Sequence, residues 1–551
     1  MHTSGRVDRH ASLVTRLALS LVVVLVAGCA ASATPSPAPT SAASAAASAA
    51  ASAGPTADTT PRGGTMTIIN GSDIKSWDPA ITSGTFPGGP MDALDAIYGF
   101  LVYVDVKGVV TGGMAKSLSS PDAITWTLKL RDNMKFTDGS AYDATAVKFN
   151  WDRTADVATA APTQTWVASW NKGITVVDAT TLTIKLASAN SNFAAQVAEL
   201  APFIASPAAL KAAVQKTDIK PVGAGAWTLS TWDQGVGMTM ARNPGYWDQP
   251  RPYLDTLKFA IIAETNSRIA TVVQGGATMM AGYPYQFGTN ATASGVGTIE
   301  IPIRGINRGY FNQAKGIFSD AKARLAFYQA IDRTKLMQAF TQTDLYKAPV
   351  SYFGTTSAYY DAASKLPDYD QAKAQSTIDA LAAAGKPFNV KIVTYTNSDL
   401  KRLTAYIQQV LSTYKGATAT ILEVDQANLP DQCRTKLDFD ICFEGGVLVS
   451  NGAEPNISNL LRSTGVTNWG QYNSPAMDAA LTEASATIDP AAIKAAYAKV
   501  QQLIVTDLPL YVFGEQTRSL LVRNTTGGVV NSNGGILQKQ YLYVCPSACA
   551  K

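Results

Sequence analysis

Apolar and polar positions alternate in short runs at several places along the chain. Thr65-Met-Thr-Ile-Ile69, Ile124-Thr-Trp-Thr-Leu-Lys-Leu130 and Thr180-Thr-Leu-Thr-Ile-Lys-Leu186 carry the two-residue period of strands with one buried face. Elsewhere the period is helical. Asp489 and Pro490 provide a capping carboxylate and a proline at the first helical position, and Pro509 follows the end. Between them Ile493, Ala496, Tyr497, Val500, Leu503 and Ile504 fall on one face. A second helix is expected from Asp370 to Ala384, closed by Gly385. From Val390 the pattern reads strand to Tyr395, helix from Asp399 to Tyr414, then strand from Thr418 to Val424. Such a βαβ unit makes a right-handed parallel crossover. No glycine-rich phosphate loop accompanies it, and Gly223-Ala224-Gly225 precedes a strand and reads as a turn, so nucleotide binding has no support.

The chain opens differently. Arg6, Arg9 and Arg16 precede an apolar run from Leu17 to Ala27, which as a helix spans only about half of a bilayer core. That is the form of an export signal, and Val26-Ala27-Gly28-Cys29 resembles a lipobox with Cys29 as the lipid-modified residue. Residues 29–62 are almost only Ala, Ser, Pro and Thr. Without large apolar side chains nothing offsets the entropy of ordering them, so they read as a flexible tether. The expected setting is the extracytoplasmic face of a bacterial membrane, reached through the lipid alone.

Composition narrows the chemistry. At 551 residues with 46% hydrophobic positions, the chain holds several structural units and is not disordered. Its 45 basic and 41 acidic residues are interspersed, which excludes a nucleic-acid stripe. Both histidines, His2 and His10, lie in the export signal. Once it is removed, histidine-based catalysis, zinc sites and imidazole switches are excluded together. Asp438 and Asp440 would be the carboxylate pair of a hydrolase, but nothing around them marks an acid–base environment. Cys433, Cys442, Cys545 and Cys549 form an even set in an exported chain, so disulfides are expected. Three connectivities exist; closeness in sequence favours Cys433 with Cys442 and Cys545 with Cys549. No metal and no cofactor is expected.

Several segments are similar, in order, to signatures of one family. Arg62-Gly-Gly-Thr-Met-Thr67 resembles an opening strand, and Trp77-Asp78-Pro79 stands where the family has Leu-Asp-Pro. Lys129-Leu-Arg-Asp-Asn-Met-Lys-Phe-Thr-Asp-Gly139 and Pro221-Val-Gly-Ala-Gly-Ala-Trp227 follow, then Arg242-Asn-Pro-Gly-Tyr-Trp247 and Pro252-Tyr-Leu-Asp255. Arg324 to Asp332, Gln471-Tyr-Asn-Ser-Pro475 and Leu508-Pro-Leu-Tyr511 complete the set. The chain thereby resembles the solute-binding proteins of ABC importers in the peptide/nickel-binding family, extracellular solute-binding protein family 5.

The resemblance implies an α/β, two-lobed periplasmic-binding-protein type II fold (cluster C) with an extra subdomain and a hinge between lobes. Expected bounds are 1–28 for the signal, 29–62 for the tether, 63–303 for lobe I with its subdomain at about 96–220, 304–506 for lobe II and 507–551 for a return to lobe I. Crossings are expected near Arg304–Asn312 and Asp507–Phe513. The implied activity is binding, not catalysis, by a monomer that passes a peptide or peptide-like solute to permease and ATPase subunits. An oligosaccharide or other neutral solute, or a sensing role, is the alternative; nickel lacks histidine ligands. In peptide-binding members an aspartate holds the ligand's ammonium; here Asn451 takes that position and Glu454-Pro455 replaces Asp-Pro. Ser83, Gly84, Thr85 and Phe86 resemble a pocket-lining loop. Trp469, Tyr310 and Tyr511 are the remaining cleft candidates.

Overall fold

The computed structural model describes residues 58–82, 90–105, 108–213, 219–282, 287, 295–343, 348–355, 357–447, 454, 456–532 and 535–549. The expected export signal, Cys29, nearly all of the expected tether, Ser83 to Phe86 and Asn451 lie outside the described residues.

Ten strands form the main sheet among these residues. In chain order they are β1 (Thr65–Asn70), β2 (Trp227–Asp233), β3 (Gly237–Arg242), β4 (Thr256–Ile261) and β5 (Met279–Gly282). Then come β6 (Val296–Phe311), β7 (Phe388–Tyr395), β8 (Ala417–Val424), β9 (Ile441–Val447) and β10 (Leu510–Arg523). Their spatial order is β8-β7-β9-β6-β10-β5-β1-β4-β3-β2. The expected βαβ unit is present: β7 and β8 pair in parallel from Phe388↔Ala417 to Tyr395↔Val424, joined by the helix Ser398–Leu411. The expected caps are present too. Asp489 accepts from the Ala491 amide, Asp370 from that of Lys373, and Gly385 turns the chain at φ +74°.

Apolar side chains collect in two large cores. The first gathers residues between Met66 and Ile301 together with Leu520 to Leu542. The second gathers Ile306 to Phe513. β6 and β10 pair antiparallel from Val296↔Arg523 to Tyr310↔Leu510, with register shifts at Ile301/Gly305 and Asn307/Arg308. The passage between cores therefore lies at 302–305 and 514–519. This differs from the expected crossings because Tyr310, Phe311, Tyr511 and Phe513 are already buried in the second core.

A four-stranded antiparallel sheet stands apart on the first lobe, in the order Ala115–Ser119, Thr125–Leu130, Thr181–Lys185, Ile174–Asp178. The Arg131 guanidinium at its edge lies 3.5 Å from the centre of the Trp247 ring and ties it to the body. Gly223, in the turn before β2, is required by closeness: a Cβ there would sit 2.0 Å from the Ile97 carbonyl. Cys433 bonds Cys442 inside the second core, and Cys545 bonds Cys549 at the chain end. Among the described residues no helix is long and apolar enough to cross a membrane.

The returning C-terminal segment is pinned by a buried cation. Lys539 is fully buried and its Nζ reaches Asp92 at 2.9 Å and Asp95 at 3.0 Å, both on the helix Pro90–Tyr98. Asp95 also accepts from the Tyr103 hydroxyl at 2.9 Å. Burial raises the Asp95 pKa even against the opposing pull of Lys539. Replacing Lys539→Met leaves two neighbouring carboxylates without their cation, and we expect a loss of about 3–5 kcal/mol in urea unfolding. A change below about 0.5 kcal/mol, the size of an ordinary surface substitution, would remove this cluster from the list of what holds the lobe.

Candidate functional site

The Trp77-Asp78-Pro79 motif is tied down on several sides. Asp78 is fully buried and accepts two hydrogen bonds from Arg153, at 2.7 and 2.6 Å. It also caps the Ala80 amide at 3.0 Å. The Tyr98 hydroxyl donates to the Trp77 carbonyl at 2.7 Å, and Trp77 meets Trp232 edge-on with ring centres 5.7 Å apart. These side chains are committed to one another, so the motif is scaffold.

On the second lobe the structure brings two candidates together. Tyr310 and Trp469 stack with centres 5.3 Å apart and planes at 26°. Trp469 comes from the loop before the helix Pro475–Ser485, whereas Tyr310 lies on β6 within a few residues of the passage between cores. The Tyr310 hydroxyl donates to Glu444 at 2.7 Å and accepts from Arg308, which also pairs with Glu444. Arg308 is 1% exposed. Burial works against its charge, but Tyr310 and Glu444 outweigh this and hold the guanidinium above its ordinary pKa. Among the described residues its Nε and Nη1 have no hydrogen-bond partner. An ion pair thus fixes a phenol, and the phenol fixes an indole. Nothing in the sequence singles out Arg308, one of three charged residues on its strand with Glu300 and Arg304.

Tyr511 is placed elsewhere. Opposed residues on paired strands share a face, and the register sets Gly309 against Tyr511 and Tyr310 against Leu510. Tyr511 therefore points away from Tyr310, into a fully buried cluster with Phe311, Phe327 and Tyr328. Gly309 itself leaves room for a ring of the neighbouring strand β9: a Cβ at that position would lie 2.7 Å from the Phe443 ring. Glu454 is also buried, and it accepts from Ser458 at 2.6 Å. Desolvation raises its pKa, opposed by Ser458 and Arg462. Asp438 and Asp440 serve Lys391, through its ammonium and its backbone amide, each at 2.7 Å.

The two lobes also touch away from the crossing strands. Ser191, before the helix Phe193–Leu200 of the first core, donates its amide to the Ser485 carbonyl and its hydroxyl to that of Ala484, both at 2.9 Å. Asn192 lies against Tyr497, and Asn456 hydrogen-bonds the Glu199 carboxylate. Ser-Asn before a helix reads as an ordinary cap, yet Asn192 does not cap its own helix.

The geometry is that of two cores joined by one strand pair, with a positioned aromatic platform beside the junction. Residues 109–468 match the family described as Bacterial extracellular solute-binding proteins, family 5 Middle. The chain is 27% identical over 482 residues to the glutathione-binding protein GsiB of Escherichia coli K12, covering 84% of this chain and 91% of that one. The oligopeptide-binding protein AppA of Bacillus subtilis, solved with a nonapeptide, superposes with a TM-score of 0.71 at 18% identity, over 88% of this chain and 100% of AppA. DppA of Helicobacter pylori, solved with the peptide STSA, gives 0.72 at 21% identity, over 88% of this chain and 98% of DppA. These relatives are substrate-binding proteins and not enzymes. The chain belongs to family 5 of the bacterial extracellular solute-binding proteins, the two-lobed binding components of ABC importers.

Proposed function

We propose that this chain captures a peptide or peptide-like solute between its lobes, outside the cell membrane, and passes it to a permease driven by separate ATPase subunits. The observation that carries the reading is the β6–β10 pair, which joins two self-contained cores and leaves them free to close on a ligand. We take lobe I as 63–301 with 520–551 and lobe II as 306–513, joined through 302–305 and 514–519, with the lipid at Cys29 and residues 29–62 as tether. The named ligands of the relatives above are peptides or glutathione, which favours a peptide over an oligosaccharide or a sensing role.

Closure is driven by the ligand's preference for the closed state; a micromolar dissociation constant corresponds to about −8.2 kcal/mol, of which closure uses part. Mass spectrometry of solute released from the purified protein should identify a peptide or peptide-like compound. Small-angle scattering with that solute should give a smaller radius of gyration than without it. A carbohydrate in the released fraction, or an unchanged radius at saturation, would overturn the reading.

Selectivity follows from Asn451 in the ammonium-anchoring position. An amide accepts a hydrogen bond from an ammonium but does not neutralise it, which weakens free-amine peptides by about one to two orders of magnitude relative to a carboxylate. Asn451→Asp is expected to recover that factor for free-amine peptides and not for N-acetylated ones in calorimetry. Equal effects on both would place the anchor elsewhere.

A Cys29→Ala variant should fail to incorporate labelled palmitate in growing cells. Persistent label would move the lipid to another residue.

A further inference from the structure

The helix Pro475–Ser485 ends in carbonyls that its own backbone cannot pair. The other lobe supplies the donors: the Ser191 amide and hydroxyl reach the last two of them. A helix end capped across the cleft is complete only while the lobes are together. Eight residues on, Glu199 projects from the same subdomain edge to Asn456, at the start of the helix Asn456–Leu461.

We propose that the edge from Ser191 to Glu199 is a latch on the closed cleft, and that closing it takes up a proton at Glu199. The proposal rests on the two-lobed solute-binding reading and adds a control to it. Glu199 meets a neutral amide and, among the described residues, no ion-pair partner. Its own helix, Phe193–Leu200, holds no other charged residue. On the strand packed beneath, Val102–Val104, the titratable group is Tyr103, which donates to Asp95. The facing lobe carries Glu454, bonded by Ser458, then Arg462, bonded to Ser458 and Thr482, and Tyr497 beside Asn192. None of these neutralises Glu199.

Desolvation of the half-buried side chain outweighs the Asn456 bond and raises the carboxyl from 4.5 to about 7. Opening the cleft returns it to water and toward its ordinary value. The closed state thus binds the proton more tightly than the open one. The stabilisation of closure is full below the open-state pKa, falls as pH rises towards the closed-state value, and is absent above it. By reciprocity, a solute that closes the cleft is held more tightly in acid than at neutral pH.

Small-angle scattering on the solute-free protein at pH 5 and pH 8 tests this, and failure to bind peptides leaves it readable. The closed-to-open ratio of the unmodified protein should fall about ten-fold or more between the two, seen as a larger radius of gyration at pH 8. Glu199→Gln, a neutral mimic of the protonated side chain, should stay equally compact at both. Ser191→Ala should expand the protein at pH 5 by weakening closure about five-fold, without changing its thermal melting. A pH-independent radius in the unmodified protein, or an equal pH response in Glu199→Gln, would overturn the proposal.

Discussion

The antiparallel pairing of β6 with β10 is the interaction on which the rest depends. Among the described residues these are the strands that enter both cores, and each runs from one into the other without leaving the sheet. Backbone hydrogen bonds each contribute only about 1 kcal/mol net, but a ladder of them resists separation while permitting twist. The register shifts at Ile301/Gly305 and Asn307/Arg308 fall at the passage and just past it, where the ladder is most easily bent. A sheet continuous through both lobes, with its longest pair irregular where the chain passes between cores, bends there most easily.

The stiffness and softness of the molecule are set by different forces. Beside the junction, Arg308 and Glu444 hold the Tyr310 hydroxyl, and Tyr310 holds Trp469. Breaking such a buried pair is expensive, which holds the aromatic platform in place. Between the lobes, among the described residues, the contacts away from the crossing strands include neutral ones: Ser191 on two carbonyls, Asn192 on Tyr497, Asn456 on Glu199. At about 1 kcal/mol each they are small beside the free energy of a micromolar ligand. The solute therefore decides closure and the latch modulates it.

Much of the fold was legible along the chain. The βαβ unit over 388–424, the capped helices after Asp370 and Asp489, and the strand at Thr65 follow from periodicity and end signals, because each depends on neighbours a few residues away. The family signatures were legible as well, but they mark scaffold: Asp78 is spent on Arg153, and Trp247 on Arg131. The site was less legible. Ser191 and Glu199 are separated from their partners by more than two hundred residues, and no local pattern announces such a meeting.

By itself the sequence determined the local elements, the confinement of both histidines to the first ten residues and the kind of molecule to which the chain belongs. The tertiary structure decided which side chains face the same way. Tyr310 and Tyr511 look equivalent in sequence, each an aromatic on an expected crossing. The pairing of Gly309 with Tyr511 sends one to the Trp469 platform and buries the other among Phe311, Phe327 and Tyr328. The physical reason is the two-residue period of a strand: a single step of register reverses every side chain, and register between distant strands is fixed only when the cores assemble.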